Sequence, residues 1–291
     1  MARGVNMTTV ADSITLEERI FRLSAKAKEL RLSVLKMIFI AQSGHPGGAL
    51  SAADILAALY FDQMSLKPEN PCWADRDRFI LSKGHSCPIW YAALAHRGYF
   101  PLATLDTLRS LGSQLQGHPV KFKCPGIDAT AGSLGIGFAQ ALGMALEAKM
   151  LGKEYFVYAV LGDGELQEGI VWETAQAAAK YKLERLVMIV DNNRLQNDGF
   201  TKDVMPVEPI EDKFRAFGWD TTRIDGHDMR QILSTLEIAR RHKGGPFCIV
   251  ADTVKGKGVS FMENVRVWHG KSPDAEQYEK AVKELREGAP V

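Results

Sequence analysis

Two short stretches of this chain carry side chains suited to holding a metal ion: Gly162-Asp163-Gly164-Glu165 and Asp191-Asn192-Asn193. Each follows an apolar run. Tyr155 to Leu161 (YFVYAVL) is aromatic and β-branched, and Leu186 to Val190 (LVMIV) is similar, so both read as strands. Gly162 and Gly164 allow a sharp turn and close approach to a ligand, while Asp163 offers a hard oxygen. If the strands are parallel neighbours, both polar tips emerge at one carboxyl edge, where open α/β sheets bind ligands. Mg²⁺ prefers octahedral oxygen ligands and commonly takes one or two from protein and others from phosphates. The pair fits a metal that holds a diphosphate. Gly-Asp-Gly and Asn-Asn are also common turn chemistry, and two plain strand-to-helix turns fit the same residues.

Four of the seven histidines stand beside glycines in loops: His45 (SGHPGG), His85 (SKGHS), His118 (QGHP) and His269 (WHGK). One such histidine reads as structural. Four of one kind suggest a backbone shaped to present them to a polar, hydroxylated substrate that needs donors and proton acceptors near neutral pH. No pair has i,i+4 spacing and no cysteine partner is near, which argues against zinc. Ala131-Gly132-Ser133-Leu134-Gly135-Ile136-Gly137 is a further glycine-rich loop, placed at the start of a helix. Free N–H groups and the helix dipole there favour an anion. Close helix packing explains the glycines equally well, and no Gly-Lys-Ser/Thr follows as in a Walker loop.

The elements that must carry these residues are legible from periodicity. Thr15 and Glu18 form a capping box. Behind them Leu16, Ile20, Leu23, Ala27, Leu30, Val34, Met37 and Ala41 mark a long amphipathic helix, ended by Ser43-Gly44-His45-Pro46-Gly47-Gly48. Ser51 with Asp54 is expected to cap a second helix through Tyr60, and Arg78 to Ser82 to form a strand. Pro88 to Arg97 and Leu102 to Leu111 read as helical, and Gly135 to Met150 as a closely packed Ala- and Gly-rich helix. A helix at Ile170 to Tyr181 separates the first two strands. After a loop from Asn192 to Glu211 come a strand (Gly218 to Ile224), a helix (Met229 to His242) and a strand (Phe247 to Asp252). This alternation predicts an α/β fold: a single domain with a mostly parallel sheet covered by helices on both faces. The expected division is an N-terminal tail over 1–14, the domain over 15–273 and an exposed charged C-terminal helix or tail over 274–291.

With 291 residues, 46% hydrophobic, and a net charge of +1, the chain can bury a large core and has no sustained basic face for nucleic acid. No apolar stretch suits a membrane span or signal peptide, and Cys72, Cys87, Cys124 and Cys248 lack C-x-x-C spacing. A cytoplasmic protein with reduced thiols is expected.

Read in order, SGHPGGALSAADILAALYF, DRDRFILSKGH, GSLG, GDGELQEG, DNNRLQNDG, DGHD, TVKGKGVSFMEN and WHG resemble the amino-terminal part of transketolases, from about Ser43 to Gly270. The GDG motif with a downstream Asn is shared by thiamine diphosphate enzymes; GHPGG, SKGH and WHG point to transketolase. The resemblance implies a thiamine diphosphate-binding fold of the diphosphate-binding type and two cofactors, thiamine diphosphate and Mg²⁺. It places the metal on Asp163, Asn193 and the carbonyl of Leu195. Gly162 and Gly164, with Gly132, Ser133 and Leu134, match the diphosphate and thiazolium contacts. Glu168 matches an acid near the cofactor, and Arg109 a position of cofactor-proximal interaction or packing. His45, His85, His118 and His269 match histidines that bind donor-sugar hydroxyls and move protons, with His269 also near the cofactor.

Ile136, Phe138-Ala139-Gln140 and Gln114 depart from the family pattern. The implied reaction moves a two-carbon ketol unit from a ketose (phosphate) to an aldose (phosphate), as in the pentose phosphate pathway. A full transketolase continues into a pyrimidine-binding domain, whose glutamate protonates the aminopyrimidine, and a carboxyl-terminal domain. This chain matches only the first domain. It is therefore expected to act with a separate C-terminal subunit, as two copies of each chain. A synthase, an enzyme of an unusual or sulfo-sugar, and a non-catalytic paralogue are the other expectations.

Overall fold

A computed structural model describes residues 14–288, so all of the 1–14 segment except Ile14 lies outside the described residues. The helices are α1 Leu16–Ala41, α2 Pro46–Ser51, α3 Ala53–Ala58, α4 Cys87–Arg97, α5 Ile136–Met150, α6 Gly169–Lys180, α7 Thr201–Val204, α8 Ile210–Ala216, α9 Met229–Arg241 and α10 Ala275–Glu287. The strands are β1 Arg78–Leu81, β2 Val157–Gly162, β3 Leu186–Asn192, β4 Asp220–Asp225 and β5 Phe247–Asp252. They form one parallel sheet in the order β1-β2-β3-β5-β4.

Strands β1, β2, β3 and β5 are buried on both faces, the edge strand β4 is partly exposed, and side chains alternate between two cores. Tyr158, Val160, Val187 and Ile189 join α1 to α4 and α9 on one side. Val157, Ala159, Leu161, Leu186, Met188 and Val190 join α5, α6 and α8 on the other. A period of two with both faces covered gives the continuous apolar runs seen in the sequence. The expected α/β fold is the one observed.

Local differences have local causes. The Thr15–Glu18 capping box is present. Ser51 and Asp54, expected as a cap, are not one. Pro46 starts α2 earlier, and both side chains are drawn into the interior, Ser51 toward Asp191 and Asp54 toward Arg31. Leu102 to Leu111 yields only a 3₁₀ turn over Leu102–Thr107. The 192–211 loop contains α7 and an antiparallel bridge between Leu195 and Phe200. The charged helix α10 exists, but one face is not exposed: Ala281 and Leu285 are buried and Tyr278 stacks on Phe39 of α1 at 4.3 Å. Its apolar positions recur at helical spacing among the charges, which is enough to dock one face.

Candidate active site

The parallel register of β2, β3 and β5 sets Gly162 beside Asp191 and Asn192 beside Asp252, so three strands end at one edge. Asp163 leaves β2 buried, its Oδ1 accepting the Gly164 N–H at 2.9 Å. Asn193 leaves β3 with its amide nitrogen on Asp191 Oδ2 at 3.0 Å, which turns its oxygen toward the Leu195 N–H at 3.2 Å. The Leu195 carbonyl accepts from the Lys255 ammonium. These groups line a cavity of about 410 Å³ with Lys83, Gly132 and the histidines described below.

Beneath the cavity lies a closed set of charges. Asp191 is fully buried and accepts from Ser51 Oγ at 2.6 Å, from Asn193, from the Lys83 ammonium and from Thr253 Oγ1. Burial alone would raise its pKa, but the Lys83 charge and these donors together hold it below the ordinary value. Lys83 Nζ also donates to the Gly48 carbonyl at 2.7 Å. Burial lowers Lys255 to about 8. Glu165, also buried, accepts from Ser82 Oγ, from the Gly135 N–H at 2.7 Å and from the Gly162 N–H at 3.1 Å. It thereby ties the 131–137 loop to the Gly162-Asp163-Gly164 turn, and burial raises its pKa. The Phe138 N–H is taken by Ser82 Oγ at 3.1 Å. Part of the α5 amino-terminal donor set expected to meet an anion is thus already bound internally. A Cβ at Gly132 would meet nothing within 4 Å, so that stretch of the loop stays open.

Three of the four loop histidines converge. The ring centroids of His45 and His85 are 5.2 Å apart, those of His45 and His269 5.6 Å, and those of His85 and His269 5.2 Å. Burial is the main reason their pKa values fall: His45 to about 4, His269 to about 3, and His85 well below its usual value. Neighbouring cations add to this, Arg109 at His45 and Lys255 at His269. The rings are therefore neutral at pH 7, where the sequence suggested titration near neutrality. His269 Nδ1 lies 2.7 Å from the Lys255 ammonium, which can only donate, so the ring proton sits on Nε2. His45 Nδ1 is buried with no hydrogen-bond partner among the described residues.

His118 does not join the three rings. Its residue is exposed on a neighbouring loop, but its ring is partly desolvated there, which together with the Arg109 charge lowers its pKa. Arg109 donates to Ser43 Oγ at 3.0 Å and to the Gly117 carbonyl at 3.4 Å, so it pins the His118 loop to the segment before His45. Gly162, Gly164, Leu134 and Glu168 line the cavity, with Glu168 exposed at its mouth; Ser133 is exposed beside it. Lys83, Thr253 and Lys255 went unassigned in the sequence, and Glu165 and Asp191, read there only as parts of the two metal-competent stretches, instead serve as buried acceptors. Their signal was present: lysines flanking glycine after apolar strands (SKGH, VKGKG), and an Asp opening DNN.

These residues fit a metal-bound diphosphate. Asp163, Asn193 and the Leu195 carbonyl supply hard oxygens, and an ammonium already rests on that carbonyl. Burial, then the Asp191 charge, raises Asp163 to about 6, which is the behaviour of a buried carboxylate lacking a counter-cation. Among the described residues, no three His, Cys, Asp or Glu side chains are grouped to hold a metal, so the amide and carbonyl oxygens are needed.

Comparison with known proteins identifies the family. Residues 23–287 match the family described as "Transketolase, thiamine diphosphate binding domain". The chain is 45% identical over 275 residues to the 6-deoxy-6-sulfo-D-fructose transketolase subunit of Clostridium sp., covering 94% of this chain and 100% of that one. It is 42% identical over 265 residues to an apulose-4-phosphate transketolase subunit of Phocaeicola vulgatus, covering 91% of this chain and 94% of that one. Human transketolase is 38% identical over 92% of this chain, but only 43% of its own length is matched. Transketolase from Campylobacter jejuni superposes with a TM-score of 0.86 at 33% identity, over 91% of this chain and 42% of that one. The chain thus spans less than half the length of the full-length transketolases it matches.

Proposed function

Because the chain belongs to the transketolase family, whose thiamine diphosphate binding domain it carries, we propose that it is the cofactor-holding subunit of a two-chain transketolase. Asp163, Asn193 and the Leu195 carbonyl hold Mg²⁺. Gly132, Ser133, Leu134, Gly162 and Gly164 bring backbone against the diphosphate and ring, with Glu168 at the mouth. Bound thiamine diphosphate supplies the electron sink for breaking and remaking a carbon–carbon bond beside a carbonyl. Lys255, which lines the same cavity, would offset part of the diphosphate charge, while Lys83 holds Asp191 beneath it. The neutral rings of His45, His85 and His269 each offer one N–H and one bare nitrogen, so they can orient sugar hydroxyls and pass a proton either way. His118 meets the substrate from the neighbouring loop.

The relatives named for sulfofructose and apulose-4-phosphate suggest a ketose donor with an anionic group at its far end. The partner is a subunit bearing the pyrimidine-binding domain. This reading is supported by full coverage of relatives named as subunits against partial coverage of one-chain transketolases. The assembly is two copies of each chain, in the cytoplasm.

The observation that carries the reading is the convergence of the Asp163, Asn193 and Leu195 oxygens with three neutral histidines on one cavity. Asp163→Ala removes the only carboxylate of the oxygen set. It is expected to abolish Mg²⁺-dependent binding of thiamine diphosphate by calorimetry while leaving the fold intact. Unchanged affinity would refute the metal site. Ketol transfer that appears only when the subunit bearing the pyrimidine-binding domain is added supports the two-chain reading; full turnover by this chain alone overturns it.

A further inference from the structure

The Asp225-Gly226-His227-Asp228 turn after β4 has no part in the roles above, and it does not line the cavity. Its histidine is nonetheless buried and bonded at both nitrogens. Nδ1 lies 2.7 Å from Asp54 Oδ2, and Nε2 lies 2.8 Å from the Val254 N–H. A main-chain N–H can only donate, so Nε2 is the bare nitrogen and Nδ1 carries the proton given to Asp54. Asp54 is fully buried on α3 and matched by the Arg31 guanidinium of α1, whose Nη1 lies 3.1 Å from Oδ1. Arg31 Nε reaches the Leu50 carbonyl of α2 at 3.2 Å.

A buried Asp–His pair elsewhere can relay protons. Here the outer nitrogen ends on a backbone amide, which gives up no proton near neutral pH, so the pair serves placement. What it places is the chain leaving β5. The Gly226 N–H donates to the Asp252 carbonyl at 2.8 Å, and a Cβ at Gly226 would fall 2.5 Å from Thr253 Cγ2. The turn therefore presses on that segment and holds it at two points, the carbonyl of residue 252 and the amide of residue 254. Between and beyond them, Thr253 Oγ1 donates to Asp191 and Lys255 Nζ reaches Leu195 and His269.

We propose that Asp54 and His227 are positioning residues that fix the Thr253–Lys255 segment and, through it, the Lys255 ammonium at the cofactor end of the cavity. This rests on the cofactor reading above. A group that hydrogen-bonds a metal ligand typically changes metal-site affinity about 10- to 100-fold when removed; Lys255, on the Leu195 carbonyl, is such a group, and His227 acts through it. The test uses the full chain and two substitutions. His227→Gln keeps an acceptor near the Nε2 position for Val254, whereas His227→Asn keeps only a group near Nδ1 for Asp54. Calorimetry with Mg²⁺ and thiamine diphosphate should show affinity falling about tenfold in H227N and largely kept in H227Q. In a Lys255→Met background, H227N should cost no more than about twofold, because the two residues act in series. Equal losses in H227Q and H227N, or the same H227N loss with and without Lys255, would overturn the proposal. Hydrogen exchange at the Val254 amide reads the bond with no cofactor present, so the two readings fail separately. Protection kept in H227Q and lost in H227N supports placement, and equal protection in both overturns it.

Discussion

The floor of the cavity and its histidine wall are built on opposite terms. On the floor, Asp191 has four donors, Lys83 has a carboxylate and a carbonyl, and Glu165 has three donors. In the wall, His45 Nδ1 is buried with no hydrogen-bond partner among the described residues. A charge buried without its partner costs several kcal/mol, so the floor must be complete before any ligand arrives. A neutral imidazole nitrogen costs far less to leave bare, about 1–3 kcal/mol. The chain can keep such groups unmatched where a ligand is to supply the match. Stability is thus concentrated below the ligand, and adaptable valence around it.

Removing a floor charge should therefore damage the fold most. Asp191→Ala strands the Lys83 ammonium, 2% exposed, with the Gly48 carbonyl as its remaining partner. Breaking a buried pair in this way costs about 3–5 kcal/mol, a large share of the roughly 5–15 kcal/mol that holds a typical domain. Urea unfolding monitored by circular dichroism reads it directly. A change within about 0.5 kcal/mol, as at an ordinary surface site, would break the contrast between floor and wall.

Removing a wall imidazole should spare the fold and reduce turnover. His85→Ala, assayed with the partner subunit, is expected to lose about a hundredfold in kcat, the low end for general acid–base groups, with little change in cofactor affinity. His118→Ala should lose less, because His118 stands exposed and outside the cluster of His45, His85 and His269. A loss confined to cofactor binding would reassign His85 to the floor.

The division also explains what the sequence disclosed. Strand runs and the long first helix are local patterns, and they appear nearly where periodicity put them. The glycine-flanked Asp163 and histidines are legible because a ligand-facing residue needs a shaped backbone, and glycine marks it. Lys83, Asp191, Lys255 and the Asp54–His227 pair are joined across separations of 108, 60 and 173 positions. Their partners are set by packing, and no local pattern encodes them. Ser51 and Asp54 show the cost of a local reading: at cap spacing they look like a helix start, while burial gives them distant partners.

The smallest effect is one of pH, and it separates the two regions by sign. In the unfolded chain the imidazoles take up protons as pH falls through 6.5, whereas folded His45 and His269 resist until about 4 and about 3. Over that interval the unfolded state binds more protons, so this contribution is complete above 6.5 and drains away as pH falls. Asp163, at the edge of the floor, works in the opposite direction. Its ordinary value of 3.8 rises to about 6 on folding, so the folded state keeps a proton that the unfolded chain has lost. Its contribution declines as pH rises from 3.8 to about 6. Other carboxylates titrate in the same window, so the measurement is the difference in slope between variants, from thermal melts of the full chain without cofactor. His45→Asn should flatten the rise of stability with pH between about 4 and 6.5. Asp163→Asn should steepen it over the lower part of that range. Identical slopes in His45→Asn and wild type would mean that the His45 ring titrates as a solvated group, and the wall would then lose its distinction from ordinary surface.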